Sequence, residues 1–157
     1  MTGRLDFFTD NPLAQNVIKH ITAASATVTS STLPIATLEL VRIRASQING
    51  CAFCLDMHTK DAAAAGETAM RLHLVAAWRE ATVFSEAERA ALELTEQGPR
   101  IAAGESVTDE AWTAATMHYD EEQLTALVAQ IALINAFNKL NVMTEQPSID
   151  YQPGQFG

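Results

Sequence analysis

The stretch "INGCAFCLDMH", residues 48 to 58, holds the chain's two cysteines, Cys51 and Cys54, and a histidine, His58, four positions after the second. At about 100° per residue, a helix brings all three side chains to one narrow arc, where they can meet. A C-x-x-C pair lets two sulfurs join or part with little backbone movement, and the free N–H groups of a helix start favour a thiolate at Cys51. Cys54 lies one turn before His58, close enough for the imidazole to take or return its proton. The chemistry open to this group is thiol redox.

Upstream, Glu39 stands at the centre of "IATLELVRI", with Ile35 and Ile43 one turn to either side on the same stripe. A carboxylate on an apolar stripe needs a partner. If two helices fold back about Asn49 and Gly50, Glu39 lies roughly 12 Å before the turn and His58 roughly 10 Å after it, level across the hairpin. The carboxylate would orient or charge the imidazole, and the imidazole would activate a thiol. Blander readings exist for each residue taken alone. The cysteines could be small core residues, Glu39 could form a solvated ion pair with Arg42 at i+3, and His58 could be a surface histidine. Zinc needs about four ligands, whereas His20, His73 and His118 are scattered singly, so neither a metal nor a bound cofactor is expected. Joint placement around the thiols favours the redox reading. The helix start points to Cys51 as the thiolate and the neighbouring base points to Cys54; the base is the more specific device, so Cys54 is read as the nucleophile.

The elements that must position these residues are helices. Asn11 before Pro12 reads as an N-cap with proline at the first helical position, opening a helix to about Ala26. A break at "TVTSST" precedes Pro34 and a second helix to about Gln47. The Asn49-Gly50 turn leads to a third helix from Cys51 to Ala65, closed by Gly66. A shorter helix spans about Thr68 to Trp78. Ser85 with Glu88 is a capping box for a helix to about Glu96. Gln97 to Val107, with two glycines and a proline, reads as a loop. Thr108 opens a helix to about His118, and Asp120 with Gln123 resembles a second capping box before a long apolar helix to about Met143. From about residue 144 the tail reads as irregular. No repeat or low-complexity tract appears, and the fold class is all-α, about six to seven helices in one domain over residues 1 to 157.

Composition fits one globular unit: 157 residues, 48% hydrophobic and 18% charged. A net charge of -9 and only 6% aromatic residues argue against nucleic acid as a partner. "MTGRLDFFTDNP" lacks the form of a secretory signal. The most apolar stretch, residues 127 to 137, is interrupted by Gln130 and Asn135 and falls below the roughly 20 residues of a membrane span. A soluble cytoplasmic protein is expected, and in that compartment paired cysteines are more often catalytic or metal-binding than structural.

The pattern E-x11-C-x2-C-x3-H, formed by Glu39, Cys51, Cys54 and His58, resembles that of the alkylhydroperoxidase D (AhpD)-like group in the carboxymuconolactone decarboxylase superfamily. "LELVRIRASQINGCAFCLDMHTKDA" is similar to the family's signature hairpin, and "WREATVFSEAERAALEL" and "IALINAFNKLNV" resemble its later helices, so the likeness runs from about Leu33 to Val142. The resemblance implies an all-helical subunit that forms trimers or hexamers, and a thiol peroxidase acting on organic hydroperoxide or hydrogen peroxide. On that analogy Cys54 attacks the hydroperoxide, Cys51 resolves the sulfenic acid as a disulfide, and His58 with Glu39 relays the proton. A lipoyl-bearing carrier or thioredoxin-like protein would restore the dithiol. The family's best-known peroxidase pattern has a second histidine immediately before the later cysteine, where Phe53 stands here. That departure leaves room for a redox disulfide without peroxidase turnover; the decarboxylase branch typically lacks the cysteine pair. Among other residues, Asn135, Asn138 and Asn141 recur every third position and could enter a buried seam or meet solvent. Trp78 and Arg79 are read as packing and solvated residues. Phe7, Phe8, Tyr151 and Phe156 are candidate intersubunit anchors.

Overall fold

A computed structural model of the chain describes residues 4–5, 11–148 and 150–155. These form seven α-helices and no strand: α1 (Pro12–Thr29), α2 (Ile35–Asn49), α3 (Ala52–Ala64), α4 (Ala69–Leu74), α5 (Glu86–Gln97), α6 (Asp109–Thr116) and α7 (Glu121–Met143). The helix starts follow the caps legible in the sequence. The Asn11 side chain accepts from the amides of Leu13 and Ala14. Ser85 with Glu88 and Asp120 with Gln123 close both capping boxes, while Thr68 and Thr108 cap α4 and α6.

Three stretches differ from expectation. Helix α1 runs past Ala26 to Thr29: the Thr/Ser tract stays helical, and the Thr27 and Thr29 hydroxyls are taken up by the carbonyls of Ala23 and Ser25 one turn back instead of competing for the backbone N–H groups. The helix expected to reach Trp78 ends at Leu74 and tightens into a 3₁₀ turn at Val75–Ala77. The segment read as a loop contains a 3₁₀ helix at Gly98–Ala103. A proline one residue into that turn is compatible with it, since the first N–H groups of a helix have no internal partner.

Helix α2 lies at the centre, packed by α3, α5 and α7. On one side Leu38 and Val41 join Leu94, Leu127 and Ile131; on another Leu40 and Ile43 join Trp78, Phe84 and Leu92. Each such side chain contributes about 1.5–3 kcal/mol on burial. Wrapped this way, α2 has no solvated stripe between Thr37 and Ile43, so its Glu39 and Arg42 are buried too and must find partners inside the fold. Ile35, expected on the buried stripe, is exposed in the first turn.

Helix α7 runs from its Asp120 cap to Met143 as expected, but residues 127 to 137 understate its apolar length: over its 23 residues, with a window of mean hydropathy 1.3, it is long and apolar enough to cross a membrane by length and composition. In this fold it packs against α1 and α2, burying Leu127 and Ile134. The 3₁₀ helix crosses it closely at Gly98, where an added Cβ would stand 2.6 Å from the Ile131 Cγ2 methyl. That methyl sits on a branched, stiff side chain, so Gly98→Ala is expected to destabilise the fold by about 1–3 kcal/mol, read by urea unfolding. An unchanged midpoint would show that α7 yields at this crossing.

After α7 the irregular tail returns to α3. The Tyr151 hydroxyl bonds to Asp61, and Lys60 bonds to the Tyr151 carbonyl and to Asp56. Tyr151, proposed from sequence as an intersubunit anchor, is buried within its own chain. Phe7, Phe8 and Phe156 lie outside the described residues.

Candidate active site

Cys51 takes part in two helix ends. Gly50, at φ 68, puts the chain in the left-handed region that glycine adopts without strain. Its amide bonds to the Gln47 carbonyl, and the Cys51 amide reaches the Ser46 carbonyl, which together close α2 as a Schellman motif. Cys51 is then the N-cap of α3, and its sulfur accepts from the Cys54 amide at 3.3 Å. The third helix therefore starts just after Cys51. One residue ends one helix and starts the next, which fixes its sulfur at the head of α3. The Cys51 and Cys54 sulfurs are joined in a disulfide, with Cα atoms 5.4 Å apart, and each cysteine is only 1% exposed. Phe53 packs into the same small cluster.

The hairpin brings Glu39 and His58 together as the residue count suggested, with His58 Nδ1 3.1 Å from Glu39 Oε2. The other carboxylate oxygen, Oε1, accepts from the Arg42 guanidinium at 2.5 Å. The i+3 ion pair and the histidine contact are thus not alternatives; each takes one oxygen. Both charged residues of the pair are buried, so the pair is not the solvated one a surface helix would carry. Burial opposes ionisation of Glu39, but the hydrogen bond and charge of His58, followed by Arg42, outweigh it and hold the carboxyl below its ordinary value. An ionised carboxylate can only accept, so His58 Nδ1 is the donor in this contact, which makes Nε2 the basic atom of the neutral ring. Arg42 is itself held by Gln130, at 3.1 and 2.9 Å, and by Thr29 at 2.8 Å.

On the α7 side the three asparagines form a polar seam. Asn49 donates to Asn135 at 2.8 Å and to Asn138 at 2.9 Å. Asn138, fully buried, donates in turn to Ser46 at 3.0 Å. Asn141, 5% exposed, donates through Nδ2 to the Cys54 sulfur at 3.3 Å. Sequence periodicity flagged these residues without assigning them a partner, and it missed Gln130 and Thr29 altogether. Only the every-third spacing on α7 carried a signal, since the partners lie some ninety positions away in the chain.

The remaining candidates sit elsewhere. His20 on α1, His73 on α4 and His118 in the turn after α6 are exposed, and no cluster of three or more His, Cys, Asp or Glu side chains is arranged to hold a metal ion among the described residues. Trp78 is buried with its indole N–H on Glu96 at 2.7 Å, and the Arg79 guanidinium stacks 4.4 Å from the Trp78 ring. Trp78 packs as expected, while the half-exposed Arg79 also pairs with Glu93 and Glu96.

The geometry has counterparts in known proteins. The model of the carboxymuconolactone decarboxylase family matches residues 13–97. An uncharacterised protein of Bacillus subtilis, YdfG, is 46% identical over 112 residues, 71% of this chain and 76% of that protein. A solved structure of a protein of unknown function from Agrobacterium tumefaciens, proposed to be the antioxidant defence protein AhpD, superposes with a TM-score of 0.86 at 31% identity, covering 94% of this chain and 99% of that one. The debrominase Bmp8 shares the fold at a TM-score of 0.76 and 17% identity, covering 86% of this chain and 72% of its own. With a family match over more than half its length and a close structural likeness over nearly all of it, the chain belongs to the AhpD-like group of the carboxymuconolactone decarboxylase family.

Proposed function

We propose that the protein is a thiol-dependent peroxidase whose redox pair is Cys51 and Cys54. One observation carries the reading: a joined C-x-x-C pair at a helix start, one turn from a histidine whose far nitrogen is fixed by a buried, ionised carboxylate. In the reduced protein, His58 Nε2 takes the Cys54 proton. The thiolate attacks the terminal oxygen of the hydroperoxide, the O–O bond breaks, and the departing alkoxide takes a proton from His58 to leave as alcohol or water. Cys54 is then a sulfenic acid. Cys51 attacks its sulfur, expelling water and forming the disulfide. An external dithiol returns two electrons and is itself oxidised to a disulfide.

The 1% exposure of both cysteines supports a slim reductant, such as a lipoyl group on a carrier, over the broad face of a thioredoxin-like protein. Phe53, buried beside the pair, offers no second relay group, so turnover is expected to be modest. A cytoplasmic setting, where thiols are kept reduced, completes the reading. A trimer or hexamer is the proposed assembly, for which exposed Ile101, Trp112 and Val128 supply apolar surface.

The test is stopped-flow oxidation of fully reduced protein by cumene hydroperoxide and by hydrogen peroxide, followed by mass spectrometry of the cysteines. Fast, stoichiometric conversion of both thiols to the Cys51–Cys54 disulfide is the expected result. Oxidation no faster than that of a free thiol would reject the peroxidase and favour a redox disulfide that exchanges electrons without reducing peroxides.

A further inference from the structure

We infer that Asn141 is the thiolate-stabilising donor for Cys54, a role resting on the redox reading of the pair. At 1% exposure, Cys54 has almost no water to solvate a negative sulfur, so a thiolate there depends on donors the protein supplies. The structure gives the two sulfurs different ones. Cys51 has the Cys54 backbone amide, a donor built into the helix start. Cys54 has the Nδ2 group of Asn141, a side chain brought from α7. An N–H aimed at sulfur favours the anion over the neutral thiol, because the bond to the charged form is the stronger.

The charged and titratable groups packed around the pair do not duplicate this. Glu39 and Arg42 of α2 are tied to each other, and His58 of α3 is tied to Glu39. Helix α7 brings uncharged amides to the seam, its Lys139 being exposed. His58 and Asn141 therefore divide the work: the imidazole removes the proton, and the amide holds the sulfur that remains.

The experiment follows the thiolate absorbance near 240 nm against pH in the full chain carrying Cys51→Ser, which leaves one thiol. Two further variants are made in it. Asn141→Leu removes the donor and keeps the volume; Asn141→Asp keeps the shape and places a carboxylate against the sulfur. The leucine variant is expected to raise the titration midpoint by about one pH unit, a roughly tenfold loss of thiolate at neutral pH, and the aspartate variant is expected to raise it further. Far-UV circular dichroism checks the fold, and should leucine not fold, the near-isosteric aspartate decides. Midpoints unmoved in folded variants would overturn the inference. The peroxidase reading fails separately, when reduced protein with Asn141 intact does not consume hydroperoxide.

Discussion

Cys54→Ser is expected to lower hydroperoxide consumption by about a thousandfold or more, since the nucleophile has no substitute within the pair once its sulfur is gone. Serine is close in size and still accepts a hydrogen bond, so Asn141 keeps a partner and the fold should persist. Cys51→Ser is the informative counterpart. Serine is a good N-cap, so α3 should start normally, but nothing then resolves the oxidised Cys54. That variant is expected to consume one equivalent of hydroperoxide, stop at the sulfenic acid, and be trapped there by dimedone. A Cys54→Ser protein that retains the first equivalent, with dimedone on Cys51, would reverse the two roles and make the helix-start thiolate the nucleophile.

The largest expected effect on stability comes from Glu39→Gln, which keeps the shape of the side chain and removes the buried charge shared by Arg42 and His58. Leaving a buried guanidinium without its counter-charge costs about 3–5 kcal/mol, measurable as a loss of free energy in urea unfolding. The effect has a direction in pH. Glu39 is held below its ordinary 4.5 in the folded chain. A depressed carboxyl stabilises the fold fully above that ordinary value, and the contribution fades as pH falls through the lower folded one. The gap between the original chain and Glu39→Gln should therefore be widest near neutral pH and narrow below about pH 4.5. A gap that stays constant into acid would mean that the carboxylate's charge is not what the fold depends on.

Much of this was legible because it is local. Caps at Asn11, Ser85, Thr108 and Asp120 act over three residues, so the sequence shows donor and acceptor together. The level placement of Glu39 and His58 followed from counting residues about one glycine turn. What escaped has a physical reason as well. The 3₁₀ turns at Val75–Ala77 and Gly98–Ala103 carry no periodicity long enough to read. Arg42 looked like a competing surface partner because a sequence does not reveal that α2 is enclosed on every side between Thr37 and Ile43. Gln130 and Asn141 could not be paired with Arg42 and Cys54, since those contacts exist only once α7 lies along α2 and α3.

The asparagine seam has a consequence for how α7 is seated. Leucines and valines along two helices can slide past one another and repack in several ways, but amides bonded to particular amides cannot. Moving α7 by one turn, about 5.4 Å along its axis, would break the bonds from Asn49 to Asn135 and Asn138, that from Asn138 to Ser46, and the contact of Asn141 with sulfur. The seam thus works as a register mark: all four bonds are made together in the observed longitudinal setting of α7, and in that setting an amide meets Cys54.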